Sequence, residues 1–294
     1  MKESKKSITR LIKTFLNFSS PNFLYPNYIY LKTKRKFKKI INGKKQFYRF
    51  QEKLDKINDH EFKITSQNNE DGIIDYIFKN IPHNKYFVEI GIGYYECNSL
   101  NLIKNGWNGK IIEINKDEIL ALKKNLPYYY PNSKVEFVSN EVTKDNINSL
   151  VFSDNLNKEI DFFSLDIDGN DYWVLKNINL SNVKVICCEY NSWLGNKKLA
   201  MKHNKNFNYA NDAIYGASLL AITDLLKKRG FSLVATESTN INAFFVKDKF
   251  KDKFEILSPT KITREYGTQH HYSPKRKKEI YNHMVKNLQE FEEV

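Results

Sequence analysis

The sequence predicts a doubly wound α/β fold: a mostly parallel, seven-stranded sheet with an antiparallel last strand, preceded by a basic and partly helical N-terminal extension. Three observations predict it. From residue 70 to residue 248, short apolar runs alternate with segments of helical spacing, the pattern of successive βα units. The first apolar run ends in glycines, Gly91 and Gly93. The last two strand-like runs have no helix between them. They are joined by Ser238-Thr-Asn-Ile-Asn242, which reads as the turn of an antiparallel hairpin.

The elements follow in order. Residues 71–80 carry Ile73, Ile74, Ile77 and Phe78 on one helical face. Residues 86–90 form the first strand and 99–104 the next helix. Residues 110–114 and 116–125 form the second strand and helix, and 135–138 the third strand. Residues 162–167 and 183–190 are the fourth and fifth strands, both apolar enough to be buried on two faces. Residues 218–229 form a long helix stopped by Gly230. Residues 231–237 and 243–246 are the hairpin strands. The organisation is therefore an extension over 1–60, an α/β domain over 61–250 and a helical C-terminal tail over 251–294, with a basic run at Lys275-Arg-Lys-Lys278.

The net charge of +13 sits entirely in the extension. Residues 1–50 hold fourteen Lys/Arg and one acid, which leaves the remainder neutral. Ile8, Leu11, Ile12, Phe15 and Leu16 fall on one face of a basic amphipathic helix, the pattern of a segment lying on an anionic membrane surface. Aromatics among the Lys/Arg of residues 28–45 also allow nucleic-acid binding, ranked second, and a solvated arm is the plainest alternative. The chain has three cysteines, Cys97, Cys187 and Cys188, with no zinc spacing, and no apolar run of membrane-spanning length. With no secretory signal pattern, these features place the protein in the cytoplasm, with possible peripheral attachment to a membrane.

Two clusters carry chemistry. The first is Glu89-Ile-Gly-Ile-Gly93, where glycines at a strand end let the backbone approach a nucleotide-like ligand. Glu89 either binds a ligand amine or orders the loop. Glu113 ends the second strand 24 residues later, placed to accept hydrogen bonds from ribose hydroxyls. The second cluster is Asp166-x-Asp168-Gly169-x-Asp171, with Glu189-Tyr190-Asn191 ending the neighbouring strand. Carboxylates and an amide oxygen suit a hard cation such as Mg²⁺, with Asp166 and Asp168 as ligands. Without a metal, Asp168 is the first choice for general base, supported by Glu189 and Asn191. Asp168 or Asn170 also suits a helix N-cap. Tyr190, Trp193, His203, Tyr209 and Tyr215 populate the segment expected to wall a substrate cleft. His203 is a possible base, though a solvated loop histidine is the simpler reading. His270-His271 reads as surface, and Cys187 and Cys188 as core.

Glu-x-Gly-x-Gly, the strand-end acid and the closing hairpin together resemble the class I S-adenosylmethionine-dependent methyltransferases. Ser66-Gln-Asn-Asn-Glu-Asp-Gly-Ile-Ile74, Gly106-Trp-Asn-Gly109 and Leu165-Asp-Ile-Asp-Gly-Asn-Asp-Tyr172 resemble the FkbM-like branch. The resemblance spans residues 66–248. It implies a Rossmann-like methyltransferase fold and S-adenosyl-L-methionine as cofactor. By the resemblance, Glu89, Gly91 and Gly93 hold the methionine part, and Glu113 with Ile114 the ribose. Asn140 and Glu141 meet the adenine, and Asp166 completes the cofactor contacts. The sequence departs from the pattern at Tyr94-Tyr95, where another glycine is usual. The expected reaction is methylation of a hydroxyl on a small-molecule or glycan acceptor. Three alternatives stand beside it. A nicotinamide-dependent oxidoreductase shares the glycine loop and ribose acid; against it, Glu96 stands where the third glycine of G-x-G-x-x-G belongs and the closing hairpin favours the methyltransferase. A nucleic-acid methyltransferase is the second, against which the Asn/Asp-Pro-Pro-aromatic loop is missing, and a binding protein that kept the fold without catalysis is the third.

Overall fold

The computed structural model describes residues 57–93, 96–153, 157–210, 212–262 and 272–294. The basic segment 1–50, Tyr94-Tyr95 and His270-His271 lie outside the described residues. The chain runs α1 (Glu70–Asn80), β1 (Tyr86–Ile90), α2 (Leu100–Lys104), β2 (Asn108–Glu113), α3 (Lys116–Tyr129), β3 (Val135–Ser139), α4 (Ile147–Val151), β4 (Ile160–Leu165), α5 (Asp171–Asn177) and β5 (Val183–Glu189). It continues through β6 (Leu199–Met201), α6 (Leu219–Lys227), β7 (Phe231–Thr236), β8 (Asn242–Lys247), α7 (Pro274–Lys286) and β9 (Phe291–Glu293).

Seven strands form one sheet in the order β3-β2-β1-β4-β5-β8-β7. Pairs among β1 to β5 are parallel, and β8 is antiparallel to both β5 and β7. β8, the last strand of this sheet in sequence, is thus inserted between its hairpin partner and β5. This is the doubly wound, mostly parallel seven-stranded sheet with an antiparallel strand expected from the sequence.

Alternation along the central strands feeds two cores. Val88, Ile90, Phe163, Leu165, Ile186 and Cys188 face one side, where they meet Val174, Leu175, Ile222 and Leu226 of α5 and α6. Phe87, Ile111, Phe162, Val185 and Cys187 face the other, against Ile73, Ile77, Ile103, Ile119 and Leu122 of α1, α2 and α3. Each such fully buried side chain contributes about 1.5–3 kcal/mol of hydrophobic stabilisation. The starts of α3 and α6 are held by side-chain caps. Asn115 accepts from the Asp117 amide at 3.0 Å at the head of α3, and Ser218 from the Ala221 amide at 3.1 Å at the head of α6.

A third, smaller core lies beside the sheet. Ile280 and Met284 of α7 and Phe291 of β9 pack on Trp193, Met201 and Tyr215, while β9 pairs antiparallel with β6. The C-terminal region is therefore a helix plus a strand, folded onto the segment that follows β5.

At the amino ends of the strands, fully buried Asp161 accepts from the amides of Asn84 and Tyr86 at 2.9 Å and pairs with Lys184 at 2.9 Å. Removing one partner leaves the other charge buried and uncompensated. Asp161→Ala is expected to lower the unfolding free energy by about 3 kcal/mol, read from urea denaturation. A loss well under 1 kcal/mol would contradict this role.

Candidate active site

The site lies where the strand order reverses, between β1 and β4 at the carboxyl edge of the sheet. The Gly91 amide donates to the Ile112 carbonyl at 3.0 Å, and the Asp166 amide to the Ile90 carbonyl at 3.0 Å. The first bond ties the end of β1 to β2, and the second ties it to the end of β4. Gly91 has φ +76°, and a Cβ there would lie 1.5 Å from the Asp166 carbonyl oxygen. Glycine is required at this position by the strand crossing itself. At Gly93 a Cβ would make only ordinary contact with Glu96.

Two acids organise the loop. Glu89, buried, accepts from the amides of Asn98 and Ser99 at 2.7 and 2.9 Å, and from the Cys97 thiol at 2.8 Å. Burial raises its pKa, and these donors counter the rise. Of the two roles open to Glu89, its bonds describe loop ordering. Glu113 accepts from the amides of Ile92 and Asn115 at 2.9 and 2.8 Å, so one carboxylate ties the glycine loop to the end of β2.

The second cluster gathers on the other side of Gly91. Asp166, Asp168 and Glu189 each place a carboxylate oxygen within 4.8 Å of the others. Burial, reinforced by mutual repulsion, pushes Asp166 and Glu189 well above the usual carboxylate range. Asp168 is exposed and has φ +56°, a conformation uncommon outside glycine. Of the two expected caps, Asn170 takes the N-cap position of α5, but its side chain makes no capping bond. Asp171 folds the turn by accepting from the amides of Ile167 and Gly169, both at 2.9 Å. Burial lifts Asp171 to about 6. Asn170 instead exchanges bonds with the backbone of Asn204.

A cavity of about 720 Å³ joins the two clusters. Of the residues singled out in the sequence, Glu89, Gly91, Gly93, Glu113, Ile114, Asn140, Glu141, Asp166, Asp168 and Glu189 line it. Asn191 and His203 do not. Asn191 is fully buried, with its amide spent on the Trp193 amide and the carbonyls of Ala213 and Tyr215. The His203 ring packs edge-on against Trp173, with centroids 6.2 Å apart. Among the expected wall aromatics only Tyr209 lines this cavity; Trp193 and Tyr215 belong to the third core. Sequence reasoning missed Asn98, Ser164, Lys205, Phe207, Ile241, Asn242 and Tyr272, which also line it. Phe207 packs on Gly169, where a Cβ would come within 2.3 Å of its ring, a contact across 38 residues that leaves no mark in the sequence.

No protein-family model and no curated protein sequence matches the chain. Solved structures similar to it include a S-adenosylmethionine-dependent methyltransferase from Clostridium acetobutylicum ATCC 824. That likeness has 12% identity and a TM-score of 0.39, and covers 60% of this chain and 90% of that one. Magnesium protoporphyrin IX methyltransferase (ChlM) from Synechocystis PCC 6803, with bound SAH, shows 13% identity and a TM-score of 0.41 over 76% of this chain and 98% of its own. The N-terminal domain of EvdMO1 with SAH bound shows 9% identity and a TM-score of 0.40, over 74% and 95%.

Beside Glu113, Glu118 is 9% exposed and its Oε2 is buried without a hydrogen-bond partner. Burial, then the Glu113 charge, raises it from 4.5 to about 8. The folded protein therefore holds this proton to higher pH than the unfolded chain. The stability it contributes below pH 4.5 is lost as pH rises toward 8. Between about pH 5 and 8, wild type is expected to lose on the order of 2 kcal/mol more than Glu118→Gln, measured by urea unfolding without ligand. Parallel pH profiles would contradict this.

Proposed function

We propose that the protein is an S-adenosyl-L-methionine-dependent methyltransferase that methylates a hydroxyl of a small-molecule or glycan acceptor, and that it belongs to the FkbM-like branch its sequence resembles. The observation that carries this reading is the division of one cavity at the β1/β4 crossing. A glycine loop clamped to Glu113 lies on one side, and the Asp166, Asp168 and Glu189 carboxylates lie on the other. The residues present fit the cofactor. Glu113 lines the cavity, where its carboxylate oxygens have lone pairs left for ribose hydroxyls beside the amides of Ile92 and Asn115, and the apolar Ile114 next to it is 63% exposed. Asn140 and Glu141 extend that side, and the volume is in the range of small-molecule sites.

When bound, the cofactor supplies an electrophilic methyl group on a sulfonium. The chain's own task is to hold the acceptor oxygen in line with that carbon and take its proton. Asp168, exposed at the cavity, or Glu189 receives the proton, which stays on the carboxylate or passes to water as the methyl group leaves the sulfonium for the oxygen. Were a divalent cation such as Mg²⁺ bound, the same carboxylates would hold it, and it would lower the pKa of the acceptor hydroxyl. Seven carboxylates and one lysine, Lys205, line the cavity among the described residues. That lining offers a phosphate backbone a single cation and favours an uncharged, hydroxyl-bearing acceptor over nucleic acid.

Isothermal titration with S-adenosylmethionine tests the cofactor assignment. Glu113→Ala removes charged hydrogen bonds of about 1.5–3 kcal/mol each, so binding is expected to weaken at least tenfold. No binding to wild type, or equal binding to the variant, would remove the assignment. Residues 1–50 are proposed to rest on an anionic membrane surface. Among the described residues no helix is long and apolar enough to cross a membrane. The full chain is expected to sediment with vesicles containing anionic lipid, and to be released by salt. Salt-sensitive binding to RNA with no vesicle binding would assign that segment to nucleic acid instead.

A further inference from the structure

We infer that Asp166, Asp168 and Glu189 form a binding site for one divalent cation of the hard, oxygen-preferring class, Mg²⁺ or Mn²⁺. The inference deepens the acceptor-side reading above and rests on it for the cation's purpose, which is to seat an acceptor hydroxyl. Two independent observations carry the site.

The first is geometric. Asp166 and Asp168 follow β4, and Glu189 ends β5, which is parallel to β4 and beside it. One oxygen from each lies within 4.8 Å of the other two. Adjacent ligand oxygens on Mg²⁺ stand about 3 Å apart and opposite ones about 4.2 Å, with wider spacings on larger cations. Side-chain rotation moving each oxygen by about 1 Å would bring all three into contact with one ion. The donor set is all carboxylate, without imidazole or thiolate, so it selects Mg²⁺ or Mn²⁺ over Zn²⁺ or Cu²⁺.

The second observation is Glu189 itself. The residue is 8% exposed, it lines the cavity, and its Oε2 is buried with no hydrogen-bond partner. Its neighbours at this edge are treated differently. Glu89, Glu113, Asp171 and Glu237 are each met by backbone amides. A buried carboxylate oxygen left without a donor is costly, and a cation removes that cost. No ion pair among the described residues involves any of the three carboxylates. Three protein oxygens leave part of an octahedral shell for water and for an acceptor hydroxyl reached through the open cavity.

Titrating the full chain with Mn²⁺ and reading free Mn²⁺ by electron paramagnetic resonance tests this without turnover, cofactor or acceptor. One saturable Mn²⁺ per chain, displaced by Mg²⁺, is expected. Asp168→Asn and Glu189→Gln should each weaken it at least tenfold. Asp168 is exposed, so its variant decides the matter even if circular dichroism shows Glu189→Gln to be misfolded. No saturable site through the low millimolar range, or an unchanged affinity in Asp168→Asn, overturns the inference. S-adenosylhomocysteine binding, measured separately in EDTA, keeps the two readings distinct. Mn²⁺ binding without nucleoside binding upholds the cation site and removes the methyltransferase. Nucleoside binding without Mn²⁺ binding removes the cation site alone.

Discussion

The backbone of Gly91 passes so close to the Asp166 carbonyl that no side chain fits between them. This crossing sets the shape of everything at the carboxyl edge of the sheet. It splits the cavity into two halves, one facing β2 and one facing β5. Bonds from Gly91 to Ile112 and from Asp166 to Ile90 fix it from both sides. With the crossing in place, Glu89 and Glu113 reach the backbone amides that shape the loops. Glu89 gathers the approach to α2, and Glu113 gathers Ile92 and Asn115. The acids that suggest ligand binding in the sequence thus also build the site that would receive the ligand.

The same edge holds acids well beyond those two. Glu237 takes the amides of Ile241 and Asn242 in the β7–β8 turn, and Asn242 in turn donates to Glu70 at 2.9 Å. Burial and then the Glu70 charge raise Glu237 to about 7. Glu61 is held by Ser238 and Asn69. Backbone amides and side-chain amides take the place of counter-ions here, which explains how a neutral α/β domain carries so many carboxylates on one face. The Asp166, Asp168 and Glu189 group departs from that scheme at Glu189, whose Oε2 is buried without a hydrogen-bond partner at the cavity.

How much of this the sequence shows depends on the physical range of each signal. The central strands announce themselves because two-sided burial demands unbroken apolar runs, as in Ile160–Leu165 and Val183–Glu189. Strand-end acids and the glycine loop are also legible, since their places follow from strand direction. Side-chain destinations are harder to read. Asn191 sits two residues beyond Glu189, but a turn sends its amide into the third core. Trp193, Tyr209 and Tyr215 look alike as aromatics in a loop, and packing against α7 alone separates the cavity wall from the core. The pairing of β6 with β9 joins three-residue strands far apart in sequence, too short to carry any periodicity.

A crystal structure of the full chain with S-adenosylhomocysteine tests the central claim most directly. The account predicts the ribose hydroxyls on the Glu113 carboxylate, the homocysteine part over Gly91, and the sulfur facing Asp168 and Glu189. A nucleoside bound outside this cavity, or bound in it with the ribose turned away from Glu113, would contradict it.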